Sequence, residues 1–247
     1  SGKFCMEGMW MRFFPAVEFA RRAIREGKIG AIQHVRSDFG FDLIADEGTE
    51  NSKWECGAGM NAGVYPVHAS VMILGTDIAE LSSIGSLDPL GYGMDAEGTV
   101  YAKFAGNTSS VITWSHLVET AEEVDIIGTQ GRIRIHSPAH APTTVTITCK
   151  TGDRRNGQQV STPHEFPLPA IDGNFIYPNS EGLYYEAVAV QRCLAAGLVG
   201  APQASLEESV AVIKLLDQAV RGIVGKESLA ENGHSSAYTP VLLNSRS

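Results

Sequence analysis

The chain has 247 residues, 43% of them hydrophobic and 19% charged, with a formal net charge of −9. That length can bury a sizeable core in one large domain or two small ones, and the composition is that of an ordinary soluble globular protein. The charge argues against nucleic acids and anionic membranes, whose phosphates would repel it, and no apolar run approaches the ~20 residues that span a bilayer.

Ser1-Gly2-Lys3 leads straight into Phe4-Cys5-Met6, which reads as a short apolar strand, with no initiator Met and no polar leader. The expectation is a piece cut from a longer chain, or only its ordered part. Glu7 to Phe13 continues as an extended or turning segment. Pro15 suits the first turn of a helix whose apolar spacing runs through Val17, Phe19, Ala20, Ala23 and Ile24, and Gly27 suits its end. Lys28-Ile29-Gly30 is a turn, and Ala31 to Phe41 alternates as a strand does. Asp42 to Trp54 is acidic and irregular, a surface loop.

Next comes Cys56-Gly57-Ala58-Gly59-Met60-Asn61-Ala62-Gly63-Val64-Tyr65-Pro66-Val67-His68. The glycines permit positive φ and close backbone approach, which apolar packing alone rarely requires. An apolar helix follows, ending near Gly75. On a helix Asn61 and Tyr65, four residues apart, share a face, and an amide beside a phenol points to a small-molecule site. A tight turn before an ordinary helix, with Tyr65 capping a core, explains the same residues.

Strand character then recurs over Leu81–Leu87, Gly98–Ala105, Ser109–His116, Glu122–Ile127, Arg132–His136 and Thr143–Lys150, with a hairpin turn at Gly106-Asn107 and another turn over Gly128–Gly131. Val160 to Pro169 reads as an edge strand, because its prolines cannot donate to a ladder. After a loop bearing Phe175 and Tyr177, Glu181–Ala196 reads as a helix with Leu183, Ala187, Val190 and Leu194 on its apolar face. Ser205-Leu206-Glu207-Glu208 caps a last helix to about Ile223, with Val210, Ile213, Leu216, Ala219 and Val220 apolar. The tail from Lys226 is polar. The four cysteines are scattered, show no CxxC pair, and read as buried thiols of the cytoplasm or another reducing compartment. No histidine spacing suits a metal. The pattern is α+β: an open, mostly antiparallel sheet with helices on one face, its other face needing a cover, which favours a homodimer.

Several segments together resemble the Gfo/Idh/MocA-type oxidoreductases. Met6 to Ala16 is similar to that family's interdomain linker, Gly27–Gly30 to the turn after its linking helix, and Gly57-x-Gly59-Met60-Asn61-x-Gly63-x-Tyr65 to its glycine-rich catalytic helix. Gly128-Thr129-x-Gly131 resembles its late hairpin and Tyr185-Glu186-Ala187 its penultimate helix, the nearest branch being the dimeric dihydrodiol dehydrogenases and NADP-linked D-xylose dehydrogenases. The resemblance covers Phe4 to about Ile223. It implies an enzyme with a Rossmann domain for NADP or NAD and a second domain for substrate and dimerisation. Residues 1–30 would be a remnant of the last Rossmann strand with the linking helix, 31–225 the substrate-binding and dimerisation domain, and 226–247 a polar tail. Neither a GxGxxG fingerprint nor the family's Glu-Lys-Pro motif is in this sequence, so the stretch alone is expected to bind no dinucleotide and to be inactive.

The reaction so implied moves a hydride between nicotinamide and a carbinol carbon of a sugar or cyclic diol. Tyr65 would handle the hydroxyl proton together with a lysine from outside the stretch. Asn61 stands where the family usually carries Asp; its amide can bond a substrate hydroxyl but brings no charge, which favours the alternative of a non-catalytic dimerisation or scaffold subunit. The resemblance places Trp10 and Phe39 as aromatic substrate walls, with interdomain core as the other reading. Phe175 and Tyr177 become a substrate-side loop or an aromatic anchor, and Arg12 a residue facing the cofactor or a structural salt bridge. His68 reads as a core histidine.

Overall fold

A computed structural model of the chain describes residues 2–43, 56–89, 91–152, 157–175 and 177–230. Most of the expected Asp42–Trp54 loop and the tail from residue 231 lie outside the described residues.

Pro15–Arg25 forms α1, with Pro at its first position and Gly27 at φ 71° just past its end. Its Ala16, Val17, Ala20 and Ala23 are buried while Arg22 and Arg25 face solvent, the division that its apolar spacing sets. Strand β1 (Ile32–Gly40) follows, and Gly59–Gly63 then winds as a π-helical turn into α2 (Val64–Leu74), which stops at Gly75. Strands β2 (Ile78–Leu87), β3 (Asp95–Phe104), β4 (Thr108–Ser115), β5 (Val124–Gly128), β6 (Gly131–Ile135), β7 (Thr144–Thr151) and β8 (Gln158–Glu165) complete the sheet. Helices α3 (Leu183–Ala195) and α4 (Leu206–Ala230) end the described chain.

The sheet has eight strands in the order β2-β3-β4-β1-β5-β6-β7-β8, and every neighbouring pair is antiparallel except β1 and β4. Helix α4 lies on β2 and β3, α2 on β1 and β4, and α1 on β6 and β7, so one face carries the core. That face is read off by alternation: Val35 and Ser37 on β1, Val100 and Ala102 on β3, Ile112 and Trp114 on β4, and Ile133 and Ile135 on β6 are buried. The other face presents Arg36, Asp38, Thr99, Tyr101, Thr113, Asp125 and Arg134, and Arg134 grips both Asp125 oxygens at 2.8 and 2.9 Å. β8 is the edge strand that Pro163 foretells.

Several expectations change. Phe4–Met6 is not a strand but an irregular run joined to the fold by Cys5 N–H donating to Val199 O at 3.1 Å, so its apolar residues pack without a ladder. Of the four thiols only Cys193 is buried; Cys5 and Cys56 are exposed and Cys149 is intermediate, because three of them fall on a loop, a turn and a strand near the rim. On α3 the expected face is the wrong one. Leu183 and Leu194 are about half exposed, whereas Tyr185, Ala189 and Cys193 pack inward with Phe13. Helix α4 runs seven residues beyond Ile223, and its buried stripe is Ala211, Val212, Leu215, Leu216, Ala219 and Ile223, leaving Val210 and Ile213 outward.

The glycine stretch has a packing explanation. Gly57 sits at φ 73°, but Gly63 is helical at φ −62°, and what it needs is room: a Cβ there would stand 2.8 Å from Trp114. On the far side of the indole a Cβ at Gly98 would come within 2.4 Å. Trp114 is buried, and its Nε1 donates to Asp95 Oδ2 at 2.8 Å, while Gly59 N–H donates to the same oxygen at 2.7 Å. Burial raises the Asp95 pKa and these hydrogen bonds oppose it. The glycines therefore seat the π-helical turn on one indole and one carboxylate, a demand that sequence spacing did not reveal.

Candidate functional site

The seating of that turn directs Tyr65, on the first turn of α2, toward the segment Trp10–Phe13, a short 3₁₀ turn, and toward β1. Trp10 is buried, and its Nε1 donates to the Tyr65 hydroxyl at 3.2 Å. An indole N–H is only a donor, so the phenol oxygen accepts there and its own proton is left to point elsewhere. Phe39, from β1, meets the Tyr65 ring edge-on at 5.3 Å. A small cleft opens at this junction, lined by Met11, Asp38, Phe39, Tyr65, Glu122 and His140 among others.

Two of these groups come from loops at the strand ends. Glu122 precedes β5 and has φ 53°. His140 lies between β6 and β7, and its loop is pinned by Ala139 N–H donating to Glu122 O at 2.9 Å and by Asn179 Nδ2 donating to Ala141 O at 2.8 Å. The imidazole stacks on Phe39 at 4.6 Å and lies 5.6 Å from the Tyr65 ring and 5.9 Å from Trp10. His140 Nδ1 is closed off from solvent, 3.6 Å from Glu122 Oε2. Asp38 accepts the backbone N–H of Glu122 at 2.7 Å and that of Glu123 at 3.4 Å.

The electrostatics follow from this crowding. Burial, then the charge of Asp38 and that of Glu119, push the Glu122 carboxyl up to about 7. Burial alone pushes the His140 imidazole down to about 4. Near neutral pH His140 is uncharged and Glu122 is partly protonated. Among the described residues no Lys or Arg lines the cleft.

Of the residues expected at the site, Tyr65, Trp10 and Phe39 come together. Asn61 is half-buried within the π-helical turn and is not among the residues lining the cleft. Arg12 is fully buried with its charge used internally: Nη2 donates to Glu208 Oε2 at 2.7 Å and Nε to Gln203 O at 2.8 Å. Phe175 and Tyr177 are exposed, at 40% and 66%, and are not among the lining residues. His68 is buried with Nε2 3.2 Å from Glu7 Oε2, and burial, the largest influence, lowers its pKa. Sequence reasoning missed Glu122 and His140. Both belong to irregular connections with no motif, and the pairing of β1 with β5 together with the Ala139–Glu122 hydrogen bond brings them to Tyr65. Among the described residues no group of three or more His, Cys, Asp or Glu could hold a metal, and no helix is long and apolar enough to cross a membrane.

Comparison with known proteins adds the following. Residues 17–134 match the GFO/IDH/MocA C-terminal domain. The chain is 32% identical over 223 residues to a trans-1,2-dihydrobenzene-1,2-diol dehydrogenase of Danio rerio, covering 90% of this chain and 63% of that protein. It is 29% identical over 223 residues to the Homo sapiens protein of the same name, covering 90% and 62%. It thus spans under two thirds of the length of these relatives. Among solved structures, an aldose-aldose oxidoreductase from Caulobacter crescentus superposes with a TM-score of 0.68 at 17% identity, covering 92% of this chain and 63% of that one. A 3-ketoreductase from Actinomadura kijaniata, in complex with NADP and TDP-benzene, gives 0.64 at 16% identity, covering 90% and 63%. These two likenesses are of fold.

Proposed function

We propose that this chain, which matches the GFO/IDH/MocA C-terminal domain over residues 17–134, is the substrate-binding and dimerisation portion of an NAD(P)-dependent enzyme acting on a sugar or cyclic diol. The observation that carries the reading is the Tyr65 hydroxyl, held by the Trp10 indole at 3.2 Å on the edge of a cleft walled by Phe39 and His140. A phenol so fixed keeps one proton to exchange with a substrate hydroxyl, the role of a general acid or base. Trp10 and Phe39 supply apolar walls for a ring, and Glu122 supplies an acceptor for its hydroxyl groups.

The described residues do not fit a dinucleotide seat. The sequence has no GxGxxG turn, and Arg12, the cation expected toward the cofactor, is already paired with Glu208 and Gln203 inside the fold. These 247 residues by themselves bind no NADP or NAD and turn nothing over; the cofactor belongs to a domain beyond them. In this reading residues 1–30 lead in from that domain, 31–225 bind substrate, and the polar sheet face bearing Arg36, Asp125 and Arg134 pairs with a second copy. Asn61 contributes a neutral hydrogen-bonding group at the head of α2.

The test is an assay of the complete native polypeptide with NAD and NADP against uncharged sugars and vicinal cyclic diols, read by nicotinamide absorbance. Turnover of an uncharged diol or sugar is expected. A complete polypeptide that carries a dinucleotide domain, binds NAD(P) and oxidises none of them would overturn the proposal in favour of a scaffold.

A further inference from the structure

His140 is the one group in the cleft whose chemistry the reaction outlined above leaves unused. Its ring is fixed in plane by stacking on Phe39 at 4.6 Å and 27°, and fixed in place by the pinned loop around it. The side chain is 17% exposed while Nδ1 is closed off, so Nε2 is the ring nitrogen left open, on a residue that lines the cleft. Nδ1 in turn faces Glu122 Oε2 at 3.6 Å, a few tenths of an ångström beyond bonding reach, as catalytic contacts often are without substrate.

We propose that His140 is a substrate-positioning residue whose Nε2 bonds a hydroxyl of an uncharged diol or sugar beside Tyr65, and that Glu122, acting through Nδ1, decides whether Nε2 donates or accepts. This rests on the functional reading given above. A neutral imidazole has one N–H and one lone pair, so the partner of one nitrogen dictates the other. A protonated Glu122 offers its O–H to Nδ1, which places the ring proton on Nε2 and makes it a donor. An ionised Glu122 takes a hydrogen bond from Nδ1–H, and Nε2 becomes an acceptor. No net charge need enter the ring in either state, which suits a group that burial holds neutral. The other ionisable groups facing this pair are Asp38 from β1, Glu119 from the loop of Glu122 itself, and Tyr65 from α2. Asp38 and Glu119 both favour the protonated carboxyl, and that carboxyl sits at about 7, where both tautomers are populated near neutrality.

The experiment uses the 247-residue chain labelled with ¹⁵N-histidine, whose long-range correlation spectra report which ring nitrogen carries the proton. Between about pH 5 and about pH 9 the His140 proton is expected to pass from Nε2 to Nδ1, with a midpoint near that of Glu122. In Glu122→Gln the tautomer stays the same across that range. Adding trans-cyclohexane-1,2-diol is expected to shift both His140 Nε2 and the Tyr65 ring signals, and His140→Gln to raise the diol Kd about tenfold, the equivalent of one lost hydrogen bond. A single tautomer throughout in the parent chain, or the same transition in Glu122→Gln, overturns the inference. Diol that moves Tyr65 and leaves His140 unmoved also overturns it while the proposed function stands. Diol that moves neither overturns both.

Discussion

Replacing Gly63 by Ala tests whether the glycine stretch exists for packing. Its φ of −62° and ψ of −23° suit any residue, so the backbone raises no objection. Helix propensity alone would reward the change by ~1 kcal/mol. Against this stands the new Cβ, 2.8 Å from Trp114 Cδ2 and 3.0 Å from Cγ and Cε3, closer than real Cβ contacts. The indole cannot retreat, since its nitrogen is held by Asp95 Oδ2 at 2.8 Å and its far edge lies against the backbone at Gly98. Overpacking of a fixed core group costs ~1–3 kcal/mol. With the indole held, the upper part of that range, ~2–3 kcal/mol, applies, and after the helix gain Gly63→Ala should lose about 1–2 kcal/mol, a fall in Tm of roughly 2–8 °C for a chain of this size. Gly225 is the control: it is an exposed α4 position with open space around it, where Ala should gain ~0.5–1 kcal/mol. Urea unfolding of the three proteins at equal m values decides. A Gly63→Ala variant as stable as the parent would refute the packing account and return the glycine to a ligand-facing role.

Other expectations concern the charges around the site. Glu208→Ala leaves the fully buried Arg12 guanidinium without its 2.7 Å partner and should cost about 3–5 kcal/mol by urea unfolding, with Arg12→Met milder because no charge is stranded. Ser205 Oγ accepts the Glu208 N–H at 3.2 Å at the start of α4, so Ser205→Ala should cost about 1 kcal/mol in the same assay. Glu122 is raised from 4.5 to about 7 in the folded chain, so the stability it contributes is full below pH 4.5 and lost as pH rises through about 7. His140, lowered from 6.5 to about 4, acts oppositely, its contribution being lost as pH falls from 6.5 through about 4. Between those limits the urea midpoint of Glu122→Gln should therefore fall less with rising pH than that of the parent; parallel pH profiles would contradict the assignment.

The elements were legible where local chemistry decides them. Pro15 with Gly27 bounds α1, Ser205 with Glu208 starts α4, and alternation marks β1, β6 and β7. Packing direction was less legible. The apolar residues of α3 divide into Leu183 and Leu194 outward and Tyr185 and Cys193 inward, and only the position of Phe13 settles which side is buried. Periodicity says that a helix has an apolar face, not which neighbour claims it. The same holds for the site. Tyr65 and Trp10 lie in recognisable motifs and Phe39 in a readable strand, but the carboxyl and imidazole beside them come from loops 112 and 130 residues after Trp10, assembled by β1 lying next to β5 and by the Ala139–Glu122 hydrogen bond. The glycines serve both needs named for them, positive φ at Gly57 and close approach at Gly63, but their sequence does not say that the neighbour approached is an indole.

The most direct measurement is the steady-state kinetics of Tyr65→Phe in the complete polypeptide with its best uncharged diol or sugar. The variant keeps the ring against Phe39 and removes only the hydroxyl that Trp10 holds. If Tyr65 moves the substrate proton, kcat should fall by roughly 10²–10⁴ while KM changes only a few-fold. A kcat close to that of the parent would contradict the account and leave Tyr65 as a piece of the core.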